Sequence, residues 1–407
     1  MKILVVTQYF WPEEFKINDL CLELVSRGHE VTVYTGLPNY PEGKFFKGYS
    51  FVGPYNEYLN KVKVIRVPLI PRGKNKNLKL ALNYLSFFIS ASLLAPFLVR
   101  GKFDKIFIFE PSPITVAIPA IFLKYLKKTP IILWVQDLWP DSLVATGVVK
   151  NNFLLKCVEV LVRWIYQRCE KIFITSRGFF QNISAMGVPP QKIMYWPQWA
   201  ESVFGNLENL EKFHDENIPP DGFKLMFAGN IGSSQDIKTL VEAAVILKSK
   251  KNIKFLILGD GLMKKWAQDE VLKKNIIDTF IFLGKKPVEM MPYYFSKADV
   301  MIVSLTDTKL FSITVPAKLQ AYLASGKPIL GSLNGEGAHI INDWKAGITC
   351  QASSPQFLAE KIVQMSLMSP SELNDMGQNA RSCYISEFER GKLISILESE
   401  FEKLNYE

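Results

Sequence analysis

The chain has 407 residues, 48% of them hydrophobic and 21% charged, and a net charge of +9. That length is long for one domain and suits two, and the composition excludes a disordered chain. The positive balance points to an anionic partner, whether phosphates, nucleic acid or an acidic membrane face, without choosing among them.

The first stretch, "MKILVVTQYFWPEE", turns polar too early for a signal peptide and reads as a buried strand. Apolar runs rich in Val and Ile then recur at 30–36, 62–69, 105–110, 131–137, 171–176 and 192–197. Helical patterns such as 18–28 and 154–168 lie between them. Continuous apolar strands joined by helices predict a parallel sheet covered on both faces. One helical segment, "LKLALNYLSFFISASLLAPFLV" (78–99), approaches the ~20 residues that cross a bilayer. Asn83, Ser86, Ser90, Ser92 and Pro96 argue against a span. A buried helix and an interfacial helix, whose basic flank at Arg72, Lys74, Lys76 and Lys79 meets anionic lipid, stay open.

The pattern lapses over the acidic, Pro-containing 201–222, which reads as a domain boundary. A second series of strands follows at 224–230, 254–260, 281–285, 299–304, 328–333 and 346–350, with helices such as 237–250 between. The chain is therefore expected to be α/β, with two doubly wound halves. The expected domains are 1–200 and 201–384, with a last helix over 385–407 that crosses back to the first half. Ligands of such sheets sit at the carboxyl ends of strands, so two sheets face a central cleft lined by the loops after them.

Several of those loops carry candidate chemistry. "FAGNIGSSQD" turns a strand into a helix through Gly229, Asn230 and Gly232, with Ser233, Ser234 and Asp236 as possible caps. Its glycines open the backbone to a phosphate, although an ordinary tight turn explains them too. "LGDG" places Gly259, Asp260 and Gly261 at a second strand end, with Asp260 a helix cap or a hydroxyl acceptor. "GEGA" sets Glu336 between Gly335 and Gly337, where it accepts ribose hydroxyls or complements a helix dipole. In the first half, Asp137 ends a strand before Trp139-Pro140-Asp141 and is placed to hold a sugar hydroxyl, take a proton or cap a helix. "QYFWPEEFKIND" mixes aromatics with Glu13, Glu14, Lys16 and Asn18 and suits a sugar ring or a packed loop. Five unpaired cysteines and only three histidines give a metal little to bind, and fit a reducing cytosol.

The ordered series "QYFWPE", "RGHEVTVYTGLPNYPEG", "VQDLWPDS", "FAGNIGSSQD", "LGDG", "ADVMIVSL", "VPAKLQAYLASGKPIL" and "GEGA" resembles the family 4 glycosyltransferases, retaining enzymes of the GT-B fold. The nearest likeness is to the N-acetyl-L-fucosamine transferases of O-antigen and capsule assembly. The resemblance covers essentially the whole chain and implies two Rossmann-like domains, acceptor at the first and nucleotide-sugar at the second. It implies no cofactor and no divalent metal, since helix ends and basic side chains hold the diphosphate. It also implies a UDP-sugar donor, a lipid-linked saccharide acceptor, and peripheral contact through 72–100 with the cytoplasmic face of a membrane. No nucleic-acid motif is present. A nucleotide-sugar epimerase of the same fold, or a non-catalytic binding protein at the membrane, would share these features.

The family's Glu–seven residues–Glu signature falls on Ile313 and Ala321, and its Arg and Lys fall on Asn230 and Gln235. All four charges are missing. Lys318 is then the substitute cation for the diphosphate, and Glu336 the substitute acid for the ribose. The expected donor contacts are Gly229, Asn230, Gly232, Gln235, Gly259, Asp260, Gly261, Lys285, Thr314, Val315, Pro316, Leu319, Gly335 and Glu336. Lys318 and Asp137 are the expected catalytic groups; Trp11, Glu13, Asn18 and Trp139 are the expected acceptor contacts.

Overall fold

The computed structural model describes residues 1–73, 77–145, 149, 151–205 and 214–404. Lys74 and Lys76, and residues 206–213 of the acidic stretch, lie outside them. The chain divides into two compact units, Met1–Trp196 with Ile394–Glu407, and Pro197–Leu393.

The first unit is built on strands Lys2–Val6 (β1), Glu30–Gly36 (β2), Asn56–Leu59 (β3), Val62–Val67 (β4), Lys105–Glu110 (β5), Ile131–Val135 (β6), Lys171–Ile174 (β7) and Ile193–Tyr195 (β8). They lie in the order β3-β4-β2-β1-β5-β6-β7-β8. Every pairing is parallel except β3 with β4. β5 and β6 are buried along their whole length, as strands covered on both faces must be. β3 alternates exposed and half-buried residues, has no apolar run, and for that reason gives no strand signal in the sequence. Trp134, Trp196, Phe107 and Phe173 fill one side of the sheet, and Phe401 of the last helix packs edge-on against Phe107.

The helix Asn77–Leu98 has two faces. Asn83, Phe87, Ala91 and Ala95 are buried at four-residue spacing, while Leu78, Leu82, Leu85, Ile89, Leu93 and Phe97 are exposed on the opposite side. Asn83 accepts from Gln8 Nε2 at 2.7 Å and donates to the Ile70 carbonyl at 2.6 Å, and Ser90 donates to the Pro68 carbonyl at 2.6 Å. These bonds fasten one face to the sheet, so the helix is neither wholly buried nor free of the unit.

The second unit carries Phe223–Ala228 (β9), Ile253–Leu258 (β10), Phe280–Gly284 (β11), Val300–Ser304 (β12), Ile329–Ser332 (β13) and Gly347–Cys350 (β14). The parallel order is β11-β10-β9-β12-β13-β14. The order reverses beside β9, and in the first unit beside β1. Those switch points are where loops leave an open sheet in opposite directions and leave room for a ligand.

Candidate functional site

In the second unit, the loops after β9, β10, β12 and β13 are bound to one another. The N–H of Ile231 donates to the Asp260 carbonyl at 2.8 Å, and that of Met263 to the Ile231 carbonyl at 2.9 Å. On the other side, Thr306 N–H donates to the Ser234 carbonyl at 3.0 Å and Ser304 Oγ to the Gln235 carbonyl at 2.6 Å. Gly259 has φ of +140°, and a Cβ there would sit 1.9 Å from the Gly229 carbonyl oxygen. The two glycine loops thus touch backbone to backbone, which only glycine permits.

Lys318 reaches this lip because the helix Lys318–Ala324 is tied to the end of β9. Tyr322 OH accepts from the Ala228 N–H at 2.8 Å and donates to its carbonyl at 2.9 Å. One turn earlier, the Lys318 ammonium lies 3.6 Å from the Phe227 ring centroid, and a Cβ on Gly229 would be 3.6 Å from Nζ. Nζ is shut from solvent and has no hydrogen-bond partner among the described residues. Burial pushes its pKa well below the ordinary lysine value, which the face of Phe227 offsets only in part. Gln235 Oε1 is also buried without a hydrogen-bond partner among the described residues.

Gly335 closes the lip from β13. Its φ is +70°, and a Cβ would meet the Ser312 carbonyl oxygen at 1.9 Å, so the 312–316 segment lies against the start of the helix Glu336–Asp343. Glu336 is the first residue of that helix and is half-exposed. Gly335→Ala is expected to destabilise the protein by about 1–3 kcal/mol, through the forced φ and the clash with Ser312. Urea unfolding would read this, and an unchanged midpoint would show that the loop accommodates the methyl.

In the first unit the polar groups gather after β1, β5 and β6. Asp137 lies two residues past β6, where Ser112 Oγ donates to its Oδ2 at 3.1 Å and Trp139 Nε1 donates to Ser112 Oγ at 3.0 Å. Burial raises the Asp137 pKa to about 6, with the Ser112 bond opposing. Glu110, the last residue of β5, is fully buried, and burial drives its pKa well above the carboxylate range, with Asp137 adding to the rise. Glu110 is absent from the sequence-based candidates. The available signal is an acid closing an otherwise apolar strand, "KIFIFE".

Other expected contacts have different work. Glu13 is buried and accepts from the N–H groups of Phe10, Asn39 and Tyr40 at 3.1, 2.8 and 2.7 Å. Asn18 accepts from Trp11 N–H at 3.0 Å and donates to the Glu13 carbonyl at 2.6 Å. Both side chains therefore hold their own loop. The Trp139 indole is buried and held by Ser112, which leaves Trp11, 37% exposed, as the accessible aromatic of that set. Val315 and Leu319 are core side chains, and the Leu319 N–H is bonded to the Pro316 carbonyl at 2.8 Å. Thr314 donates its hydroxyl proton to the Leu310 carbonyl at 2.8 Å. Asp260 accepts from Gly261 N–H at 2.8 Å and pairs with Lys264 at 3.3 Å, so it caps the turn; the helix itself is preceded by Met263. Lys285 is exposed and electrostatically near Asp260. Among the described residues, no group of three or more His, Cys, Asp and Glu is placed to hold a metal ion.

Residues 208–382 match the model of the glycosyl transferases group 1, and residues 15–199 match the glycosyl transferase 4-like domain. A probable glycosyltransferase of Pseudomonas aeruginosa, WbjE, is 23% identical over 321 residues, 77% of this chain and 79% of that protein. A putative colanic acid biosynthesis glycosyl transferase of Escherichia coli K12, WcaI, is 24% identical over 348 residues, 80% and 82% of the two chains. The crystal structure of Anabaena HepE in complex with UDP superposes with a TM-score of 0.72 at 12% identity, covering 99% of this chain and 100% of that one. At that identity the last match speaks for the fold alone.

Proposed function

We infer that this chain, whose two halves match glycosyltransferase models, is a family 4 glycosyltransferase of GT-B fold, and on that premise we propose that it transfers an N-acetylated deoxyhexosamine from a UDP-sugar to a lipid-linked saccharide. The product would serve surface polysaccharide assembly of the O-antigen or capsule type, with retention at the anomeric carbon and without a metal. The observation that carries the donor side is the buried ammonium of Lys318 at the glycine lip, without a hydrogen-bond partner among the described residues. An isolated buried cation is costly, and a diphosphate supplies the missing charge and acceptors. As the donor departs, the same ammonium meets the growing negative charge on the leaving oxygen, which is where electrostatic catalysis acts. Glu336, at the edge of the same lip, is assigned to the ribose hydroxyls. Asp137 is assigned to a hydroxyl on the acceptor side. Thermal shift against UDP-, GDP- and dTDP-sugars tests the donor class. UDP-sugars should raise the melting temperature in proportion to ln(1 + [L]/Kd), and the absence of a shift with any of them would refute the assignment.

The acceptor is assigned to the cytoplasmic face of a membrane, with the outward stripe of the helix Asn77–Leu98 lying in the lipid interface. Its support is the exposed row Leu78, Leu82, Leu85, Ile89, Leu93 and Phe97, bounded by exposed Lys79, Arg100 and Lys102. Converting Leu82, Leu85 and Ile89 together to Gln should reduce sedimentation with 70:30 phosphatidylethanolamine:phosphatidylglycerol vesicles by at least about tenfold. The melting temperature should hold, since none of the three faces the core. Equal sedimentation of the two proteins would rule the stripe out.

A further inference from the structure

We propose that the helices Asn77–Leu98, Ala117–Lys127 and Asn152–Gln167 form one continuous lipid-facing layer that seats the first unit on an anionic phospholipid surface. This rests on the membrane reading and extends it from a stripe on one helix to a whole face of the unit.

Chain topology puts the three helices on the same side. They join β4 to β5, β5 to β6 and β6 to β7, and each step moves in the same direction across the sheet. Right-handed crossovers that move one way leave their helices on one face. The helix Lys16–Ser26 joins β1 to β2 in the opposite direction and so covers the other face. The last helix, Arg390–Lys403, lies there with it. Arg27 Nη1 donates to Glu398 Oε2 at 2.8 Å, and His29 Nε2 is 2.8 Å from Glu398 Oε1. On the first face, the helix Ala117–Lys127 packs against both of its neighbours, so the layer is unbroken.

The two faces differ in what they show to water. Lys16–Ser26 and Arg390–Lys403 expose no large apolar side chain among the described residues. They carry the acids Asp19, Glu23, Glu398, Glu400 and Glu402. The opposite layer exposes Phe122, Tyr125 and Leu126 from its middle helix and Phe153, Leu154 and Val160 from its third, with Phe153 at 72% and Val160 at 67%. These continue the row on Asn77–Leu98. Residues 122, 125 and 126, like 153, 157 and 160, fall at the three- and four-residue spacing of a single helix side. The three helices hold one acid between them, Glu159, and Arg163 pairs with it at 3.2 Å. Lys128 and Lys156 are exposed beside the apolar groups. An apolar area rimmed by unbalanced cations fits acyl chains beneath anionic head groups. A layer built for water would show the mixed charges of the other face.

The test uses the full-length chain and vesicles of 70:30 phosphatidylethanolamine:phosphatidylglycerol. Phe122→Gln with Leu126→Gln, and separately Phe153→Gln with Val160→Gln, should each weaken sedimentation with the vesicles by about tenfold or more. Leu262→Gln with Leu367→Gln, exposed on the second unit, should leave it unchanged. If both layer variants sediment like the wild type while the triple Gln variant at Leu82, Leu85 and Ile89 does not, the layer is refuted and the single stripe stands. Loss in none of the three refutes both. A second readout needs no apolar substitution. Cys157 is exposed on the side of Phe153 and Val160, and acrylodan attached to it in Cys350→Ser should shift its emission to the blue when vesicles are added. An unshifted emission overturns the proposal. So does a wild-type dimer in sedimentation velocity that the layer variants dissolve, since a second copy then covers the face. Vesicles of phosphatidylcholine alone should bind about tenfold more weakly, and equal binding would overturn the anionic assignment.

Discussion

Lys318→Met should raise the melting temperature of the ligand-free protein and remove most of its turnover. The two effects have one origin. The ammonium is buried without a hydrogen-bond partner among the described residues, so in the free protein it costs stability that a methionine of similar length does not. Its depressed pKa gives the sign. A lysine whose folded pKa lies below its unfolded value contributes stability above the unfolded pKa, near 10.4, and loses it as pH falls toward the folded one. At pH 7 the free protein is therefore on the unfavourable side, and removal of the charge should gain about 1–2 kcal/mol. The same ammonium is the side chain assigned to the departing diphosphate, and loss of such a donor lowers turnover by about 10²–10³-fold. A variant that is less stable and equally active would contradict both halves of the argument.

Asp137→Asn should lower kcat/KM by about 10²-fold and abolish the acid limb of the pH profile. In the wild type, burial places this carboxyl near pH 6, so activity should fall tenfold per pH unit below that value if the charged form meets the hydroxyl. Stability runs the other way. A carboxyl raised above its unfolded value stabilises the fold below about pH 4 and loses that contribution as pH rises through about 6. The Asn variant should thus be the more stable protein at pH 8 and the less active one. Parallel pH-rate and pH-melting curves on the two proteins check both statements. An acid limb that persists in Asp137→Asn would assign it to another group.

What the sequence reveals here depends on whether a signal is local. Strands β2 and β5 are legible to the residue, because turn residues or charges bound their apolar runs. β3 is not legible, since an antiparallel edge strand with alternating exposure looks like a loop. Lys318 is legible as a cation in the first turn of a helix after Pro316, and the structure ties that helix to the end of β9 through Tyr322. Its neighbour Leu319 is a core side chain, because one residue along a helix turns the side chain about 100°, here inward. Glu13 and Asn18 look like sugar contacts in a string of aromatics. Three backbone donors folding back onto Glu13, and an amide bridging Trp11 to Glu13, are invisible until the loop is built. Glu110 shows the opposite error. It reads as the polar end of a strand, and only the β5–β6 ladder, which sets it opposite Val135, shows the carboxyl to be buried.

The central claim, that the glycine lip of the second unit holds a nucleoside diphosphate through Lys318, is tested most directly by isothermal titration. UDP and uridine are each titrated into the wild type and into Lys318→Met. A charge-assisted bond to phosphate is worth about 1.5–3 kcal/mol, so UDP affinity should fall by about 10–100-fold while uridine affinity stays within about twofold. Equal UDP affinity in the two proteins, or an equal loss for UDP and uridine, would contradict the claim.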